Sequence, residues 1–299
     1  MNNELQEDNQ QKFSTKKTIL VVILGIISLV SAQEVSSLAY LLPFPNGVSS
    51  VIFGALYVVI SYGFIRLYCK KILHISMSDC FIRKQKIKII WLIIAIFLPV
   101  TVSAVLLYTS GELVKNTMTT FQAINLILYS IFNVGLGAGV VEEMIFRGLI
   151  MKAVERRWGK MIAIVIPSFI FGLLHVVGIE INIINVLILI IAGTSVGIMF
   201  SLILYESGSV WCSAIVHGTW NMIMIGGILH IGIAHEEHVI YSYKLSSNSI
   251  LLTGGGFGIE SSVVAILGYI TVITLILFLM KRRVRILDNS QEIVIKEHN

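Results

Sequence analysis

Charged residues are scarce in this chain. They account for 13% of its 299 residues, while 56% of the residues are hydrophobic and the mean hydropathy is +0.87. In a soluble globular domain, charged residues usually make up about a quarter of the composition. The shortage of charge therefore excludes a soluble globular domain and predicts an all-α, polytopic membrane protein.

Cysteine is scarce as well. The three cysteines, Cys69, Cys80 and Cys212, are odd in number and show no C-x-x-C spacing. This pattern argues against a disulfide framework and against a zinc knuckle. We therefore expect small thiols that are buried or lie at the membrane edge.

Lysine and arginine are missing from long stretches and cluster at the ends of apolar runs. Basic residues in such positions orient a membrane protein in the bilayer. The net charge of +5 is explained in this way, and we expect no nucleic acid as a partner. Runs of about 20 apolar residues can cross a bilayer, and the basic connections between them are predicted to be cytoplasmic. The sequence predicts about eight transmembrane helices, with both termini cytoplasmic, at residues 18–32, 47–68, 89–108, 121–157, 161–177, 182–205, 209–229 and 261–280.

Two of these runs leave a structural question open. The first could instead be a cleaved signal peptide, because Val30 and Ala32 are suited to a cleavage site; we favour an uncleaved helix. The fourth would be roughly 55 Å long as a straight helix, well beyond an apolar core of about 30 Å. It must therefore break, tilt or run partly along the surface, and we expect a break at the alternating glycines Gly135, Gly137 and Gly139.

A charged stretch lies in the middle of this long apolar run. Glu142, Glu143 and Arg147 stand where an unpaired charge would cost several kcal/mol. In a helix, residues four apart share a face, so Glu143 and Arg147 are predicted to form an ion pair. Glu142 points about 100° away, which leaves its carboxylate free for chemistry.

Two further polar motifs follow at helical spacing. Phe171 and His175 are four residues apart, and so are His217 and Asn221. If the turn at Gly159 is the end of a helical hairpin, Glu142 and His175 lie at nearly the same depth, seventeen residues before it and sixteen after it. A carboxylate, two imidazoles and an amide can therefore meet within the membrane.

The ordered motifs E-E-x-x-x-R, F-x-x-x-H and H-x-x-x-N resemble those of the CAAX-protease and bacteriocin-processing (CPBP) family of intramembrane proteases. The resemblance covers the motif residues named above and the chain around them. It implies an intramembrane endopeptidase in which Glu142 and His175 activate a water molecule. His217 and Asn221 would bind the oxyanion, and the pair of Glu143 with Arg147 would be structural.

The apolar runs, the basic connections and the motifs together predict a segment organisation, a location and a set of partners. We expect a multi-pass protein of the cell membrane that acts, without a cofactor, on a membrane-bound peptide or protein in the lipid bilayer, near the cytoplasmic face. The expected segments are a cytoplasmic tail (1–17), N-terminal transmembrane helices (18–120), a catalytic core (121–230), an exterior loop (231–260), a last transmembrane helix (261–280) and a basic cytoplasmic tail (281–299).

Other functions remain open at this point. One carboxylate and two imidazoles, those of Glu142, His175 and His217, could bind a catalytic zinc ion, although no H-E-x-x-H motif is present. The chain could also be a catalytically silent immunity or regulatory partner that keeps the fold. A proton-coupled transporter would predict inverted internal repeats, which the sequence does not show.

Overall fold

The computed structural model describes residues 12–177 and 182–297, without the side chains of residues 286–297. The first eleven residues of the predicted tail 1–17, and the last two of the predicted tail 281–299, lie outside the described residues. The described part folds into nine helices and three short strands. The helices are α1 (Thr15–Ser37), α2 (Asn46–Tyr68), α3 (Ile89–Leu107), α4 (Thr120–Trp158), α5 (Lys160–Leu174), α6 (Ile183–Ser207), α7 (Val210–Met224), α8 (Ile250–Thr253) and α9 (Val263–Glu297).

Each of the eight predicted apolar runs coincides with a helix. In the described residues, six helices are long and apolar enough to cross a bilayer, namely α1, α2, α3, α4, α6 and α9. The other two, α5 and α7, have 15 residues each. The chain is a multi-pass, largely α-helical membrane protein. Its last helix starts at Val263 and continues through much of the predicted tail 281–299.

Helix α4 is the centre of the fold. Along its middle the side chains are buried on every side of the helix, because α1, α2, α5 and α7 pack around it. A helix that is apolar all round is expected at such a central position. The largest apolar side chains in this part of α4, each at most 1% exposed, are Met144, Ile145, Phe146, Leu149 and Ile150.

The expected break in α4 does not occur. The chain stays helical from Thr120 to Trp158, but it widens into π-helical turns at Ser130–Ala138 and Met144–Ile150. The glycines serve helix packing instead, because a Cβ atom at Gly139 would lie only 2.5 Å from the Cα atom of Gly218 in α7. Without side chains at this point, the two backbones touch and bring their polar residues together.

A second close approach joins α5 to α6. A Cβ atom at Gly193 would lie 2.6 Å from the Cα atom of Gly172, and one at Gly197 would lie 2.7 Å from the Cβ atom of Ser168. Small residues at membrane interfaces allow such contact between helices. The sequence predicts the packing role of Gly193 and Gly197, and the structure adds their partner helix.

A small sheet lies outside the helices, which the sequence does not predict. Its strands are β1 (Gly111–Lys115), β2 (Leu229–Gly232) and β3 (Tyr241–Leu245). β3 pairs with β1 in antiparallel and with β2 in parallel orientation. The predicted exterior loop 231–260 thus contains a strand, helix α8 and two 3₁₀ turns, Gly255–Phe257 and Ile259–Ser261. Strands this short leave little periodicity to detect, and β1 is distant in sequence from its partner β3.

The basic ends of the helices meet on one face of the molecule. Direct contacts join the start of α1, the connection between α2 and α3, the α4–α5 turn and the α6–α7 turn. They are Lys17 Nζ to Leu73 O (3.2 Å), Arg157 Nε to Thr15 Oγ1 (3.0 Å), Arg83 Nη2 to Gly208 O (3.1 Å) and Lys88 Nζ to Glu206 Oε1 (2.6 Å). We call this the basic face; the sheet lies at the other ends of the helices.

The three cysteines are free and buried, as their scarcity and spacing predict. Cys69 and Cys80 lie next to each other near the basic face, with their sulfur atoms 3.5 Å apart. Their proximity follows from the return of the chain after α2, which sequence spacing does not reveal.

Candidate active site

A cavity of about 310 Å³ lies between the helices and is lined by at least one polar residue from each of the three motifs. Glu142 comes from α4, His175 directly follows α5, and His217 and Asn221 come from α7. The wall between them is largely apolar and aromatic. The four residues predicted to be catalytic therefore share one site, although they are spread over 80 residues of sequence.

Glu142 and Glu143 differ in environment. The side chain of Glu142 is 19% exposed and lies on the cavity wall, with Oε2 3.8 Å from Nε2 of His217. That distance is beyond hydrogen-bond length. The carboxylate of Glu142 is thus available to a molecule in the cavity.

Glu143 and Arg147 are both completely buried, and Nη1 of Arg147 lies 3.2 Å from Oε1 of Glu143. This is the contact that their four-residue spacing predicts. The guanidinium group also lies over the rings of Phe171 and Phe200, at 4.5 and 5.2 Å from the ring centres. Arg147 therefore ties the first motif to the second and to α6.

His217 contacts the same buried carboxylate. Its Nδ1 atom lies 3.0 Å from Oε1 of Glu143, and its ring stacks on Phe200 with the ring centres 4.6 Å apart. Because a carboxylate can only accept a hydrogen bond, Nδ1 of His217 must carry a proton and donate it to Glu143 in this contact. Nε2 of His217 can then donate a hydrogen bond only when the imidazole ring is protonated at both nitrogens. The sequence does not predict this link between the first and third motifs.

His175 is oriented by its own helix. Its Nδ1 atom lies 2.8 Å from the backbone oxygen of Phe171, one of the last carbonyls of α5. The final carbonyls of a helix have no partner within it, so Nδ1–H of His175 donates to this one. Nε2 is then left as an acceptor toward the cavity, and the four-residue spacing of the motif has a structural cause.

Asn221 makes a contact that crosses from α7 to α4. Its Nδ2 atom donates to the backbone oxygen of Val134, at 3.3 Å, inside the first π-helical segment. π-helical turns leave backbone groups outside the regular pattern and often occur at functional sites. An asparagine amide has two N–H groups, so one remains for the cavity.

A third carboxylate lies in this site and was missed by the sequence motifs. Glu260 belongs to the turn before α9 and lines the same cavity, where Oε1 accepts a hydrogen bond of 2.8 Å from Nε1 of Trp220. Burial raises the pKa of Glu260 above its ordinary value. The available signal was a single acid directly before an apolar run, which is too common to single out.

The cavity extends away from the basic face. Its walls include Gln33 near the end of α1, Ile225 just after α7, and Phe257 and Glu260 before the start of α9. All four belong to the helix ends and connections on the side of the sheet. This position disagrees with the expectation of cleavage near the cytoplasmic face, because the basic face is the one predicted to be cytoplasmic.

A metal-binding arrangement was an open alternative. Within residues 12–177 and 182–297, no group of three or more histidine, cysteine, aspartate or glutamate side chains is arranged to hold a metal ion. Nδ1 of His217 is directed to Glu143, which leaves only Nε2 for a ligand role. The alternative zinc ligands Glu142, His175 and His217 therefore do not form such a group in the described residues.

The comparison with known families agrees with the motifs. Residues 124–223 match the family model for type II CAAX prenyl endopeptidase Rce1-like proteins. This region covers 100 of the 299 residues and contains all three motifs. No curated protein and no solved structure matches the chain. The chain is thus an integral membrane protein, and its residues 124–223 are similar to the Rce1-like family of type II CAAX prenyl endopeptidases.

Proposed function

We propose that this protein is an intramembrane endopeptidase that hydrolyses a peptide bond of a membrane-associated peptide or protein. The observation that carries the proposal is the single cavity shared by Glu142, His175, His217 and Asn221. Their side chains provide an acceptor for a proton of water and donors for an oxyanion, which are the two requirements of amide hydrolysis. The match of residues 124–223 to a peptidase family supports the same reaction.

In the proposed mechanism, Glu142 and His175 activate the water molecule. The carboxylate of Glu142 has no hydrogen-bond partner in the described part of the chain, and Nε2 of His175 is an acceptor toward the cavity. A water molecule held between two acceptors presents its lone pair to the substrate carbonyl. Glu142 takes the proton that the water loses as the new bond to carbon forms.

His217 and Asn221 are the proposed donors to the oxyanion. The free N–H of the Asn221 amide and Nε2–H of a doubly protonated His217 can both be directed to the developing negative charge. Glu143 holds the His217 ring through Nδ1, at 3.0 Å. The ion pair of Glu143 with Arg147 therefore positions a catalytic group besides joining helices.

We further propose that cleavage takes place on the side of the membrane where the sheet lies. The cavity extends toward Gln33, Ile225 and Phe257, on that side. Because the lysines and arginines predict the opposite face to be cytoplasmic, the substrate would present its scissile bond from the exterior half of the bilayer. This replaces the cytoplasmic site expected from the sequence.

A comparison of membrane-associated peptides tests the activity. Cells that produce the wild type, Glu142→Gln or Glu112→Gln would be compared by mass spectrometry of membrane and medium fractions. Glu112 is the matched control, because it is an exposed glutamate on β1, outside the cavity. We expect a cleaved peptide with the wild type and Glu112→Gln and its uncleaved precursor with Glu142→Gln. Identical peptides from all three would favour the silent regulatory partner.

The same substrate decides between the glutamate and the zinc mechanism. Purified wild type should keep its activity after exhaustive chelation and dialysis, because the proposed steps use only side chains and water. Elemental analysis should then find zinc well below one ion per chain. Loss of activity on chelation, with recovery on adding one zinc ion per chain, would replace the glutamate mechanism.

A further inference from the structure

Glu260 is a second carboxylate in the cavity that the proposed mechanism does not yet use. It lies in the 3₁₀ turn Ile259–Ser261, immediately before α9. The turn folds back against α6 and α9, so that Glu260 reaches the wall of the same cavity as Glu142. It belongs to neither the three motifs nor the region that matches the family model.

The position of Glu260 is held by several hydrogen bonds. Nε1 of Trp220 donates to its Oε1 atom at 2.8 Å, and the Tyr269 hydroxyl donates to its backbone oxygen at 3.1 Å. The hydroxyl of the next residue, Ser261, donates to the backbone oxygen of Gly254 at 2.7 Å. The turn and the carboxyl group are therefore both held in place. A loosely solvated loop residue would not be anchored in this way.

The surroundings of Glu260 favour its neutral form. In the part of the chain that the structure describes, no lysine or arginine forms an ion pair with it, and Oε2 has no protein hydrogen-bond donor. Burial raises its pKa. The Trp220 hydrogen bond opposes this shift, as His175 and His217 do when their rings are protonated, while the charge of Glu142 adds to it. A neutral carboxyl can accept from Trp220 through one oxygen and donate through the other.

We propose that Glu260 is the general acid of the reaction and protonates the leaving nitrogen. This inference rests on the proposed peptidase function. It assigns the two carboxyl groups of one cavity to opposite tasks. Glu142, near the His217 imidazole and open to the cavity, is the base, and Glu260, half-buried on the cavity wall and paired with no lysine or arginine of the described residues, is the acid. Different surroundings separate the roles of paired carboxyl groups in this manner in other hydrolases.

The proton balance of the reaction follows. The oxygen of water forms a bond to the carbonyl carbon, and Glu142 takes one proton of that water. The carbon–nitrogen bond then breaks, its electron pair stays on nitrogen, and Glu260 gives nitrogen a proton. The products are a carboxylic acid and an amine. Glu142 releases its proton, Glu260 regains one from solvent, and no group is oxidised or reduced.

Replacement by glutamine separates this role from a structural one. Glu260→Gln keeps the size and a carbonyl oxygen for the Trp220 hydrogen bond, but it cannot supply the proton. We expect both Glu260→Gln and Glu260→Ala to slow amide cleavage by about a hundredfold or more, in the range of general acid catalysis. With a merely structural role, or with Glu142 returning its own proton to nitrogen, Glu260→Gln would stay near the wild-type rate, and the proposal would fail.

The leaving group gives a second readout. The first probe is an internally quenched peptide that contains the bond cleaved in wild-type cells but not in Glu142→Gln cells. The second probe is the same peptide with an ester in place of the amide at that bond. An alkoxide leaves with less need for a proton than an amine. Glu260→Gln should therefore slow ester cleavage by a much smaller factor than amide cleavage. An equal loss on both probes would contradict a proton transfer to nitrogen.

Infrared spectroscopy tests Glu260 without any cleavage assay. In purified wild type at neutral pH we expect the carbonyl stretching band of a protonated carboxylic acid, and we expect Glu260→Gln to lose it. Trp220→Phe removes a hydrogen bond that stabilises the ionised form of Glu260 and so lowers its pKa. In this variant the band of the protonated Glu260 carboxyl group should therefore persist to higher pH than in the wild type. Absence of such a band from the wild type would overturn the proposal. If the wild type cleaves no peptide, the proposed function fails. The infrared band is independent of cleavage and still shows whether Glu260 carries the proton that a general acid needs.

Discussion

At the scale of single residues, the proposed roles of the adjacent glutamates differ because their surroundings differ. Glu143 is completely buried between Arg147 and His217, while the side chain of Glu142 reaches the cavity. The helix rotates them apart by about 100°. One carboxylate can therefore hold the site together while its neighbour in sequence contacts the substrate.

Asn221 is predicted to act mainly on the transition state. Asn221→Ala should lower kcat by about a hundredfold to a thousandfold and change KM little, because an oxyanion donor binds the transition state more tightly than the substrate. The measurement is steady-state cleavage by purified protein. Because Asn221 also donates to Val134, the melting temperature of the variant serves as the control. A loss of activity fully explained by unfolding would leave Asn221 as a link between helices.

The ion pair of Glu143 and Arg147 is predicted to stabilise the folded protein. Arg147→Met leaves the Glu143 carboxylate buried without its cation, and the loss of one partner of such a pair costs about 3 to 5 kcal/mol. Adding Glu143→Gln removes the unpaired charge and should recover part of the loss. Thermal unfolding in detergent measures both. If the double variant melts no higher than Arg147→Met, the two residues are not coupled as the 3.2 Å contact indicates.

At the scale of elements, the site depends on how closely α4 and α7 approach each other. Glu142 and His217 are on these two helices, and Gly139, whose backbone contacts Gly218, lies between the first π-helical segment and the glutamates. The π-helical turns and the glycines together allow a long buried helix to carry polar residues without a break. Small changes of helix spacing should therefore alter the site.

Gly139→Ala tests this spacing. The added methyl group would lie 2.5 Å from the Cα atom of Gly218, so the helices must separate. We expect a lower melting temperature and reduced cleavage. Gly63→Ala in α2 is the matched control, because a Cβ atom there meets nothing within 4 Å, and alanine is favoured over glycine in a helix by roughly 0.5 to 1 kcal/mol. Equal melting temperatures for the two variants would show that the contact does not limit stability.

At the scale of the whole molecule, the protein has two distinct ends. The basic face joins the start of α1, the α2–α3 connection and the turns at Gly159 and Gly208 through direct contacts. The sheet and the turn with Glu260 lie at the other end, where the cavity extends. The orientation in the membrane therefore decides which compartment supplies the substrate.

Labelling of single cysteines tests this orientation. In a background without Cys69, Cys80 and Cys212, Ile225→Cys should react with an impermeant thiol reagent in intact cells, because Ile225 is 49% exposed and lines the cavity on the side of the sheet. Ser78→Cys, exposed in the α2–α3 connection, should react only after permeabilisation. The reverse pattern would place the cavity on the cytoplasmic side.

The sequence by itself determined the helices, the resemblance to the CAAX-protease family and the residues of the three motifs. Apolar runs reveal membrane helices because the bilayer requires a fixed length of apolar chain. Four-residue spacing indicates a shared helix face, which is why the contacts of Glu143 with Arg147 and of His175 with Phe171 could be anticipated. Both signals are local, and local signals are present in a single sequence.

Only the tertiary structure decided which helices meet and where the cavity extends. The contact of Glu143 with His217 joins residues 74 positions apart, and Glu260 enters the site because a turn outside the helices folds back under Trp220 and Tyr269. The pairing of β1 with β3 likewise joins distant parts of the chain. No spacing rule connects such residues, since their proximity results from the packing of whole helices and from backbone contact between glycines.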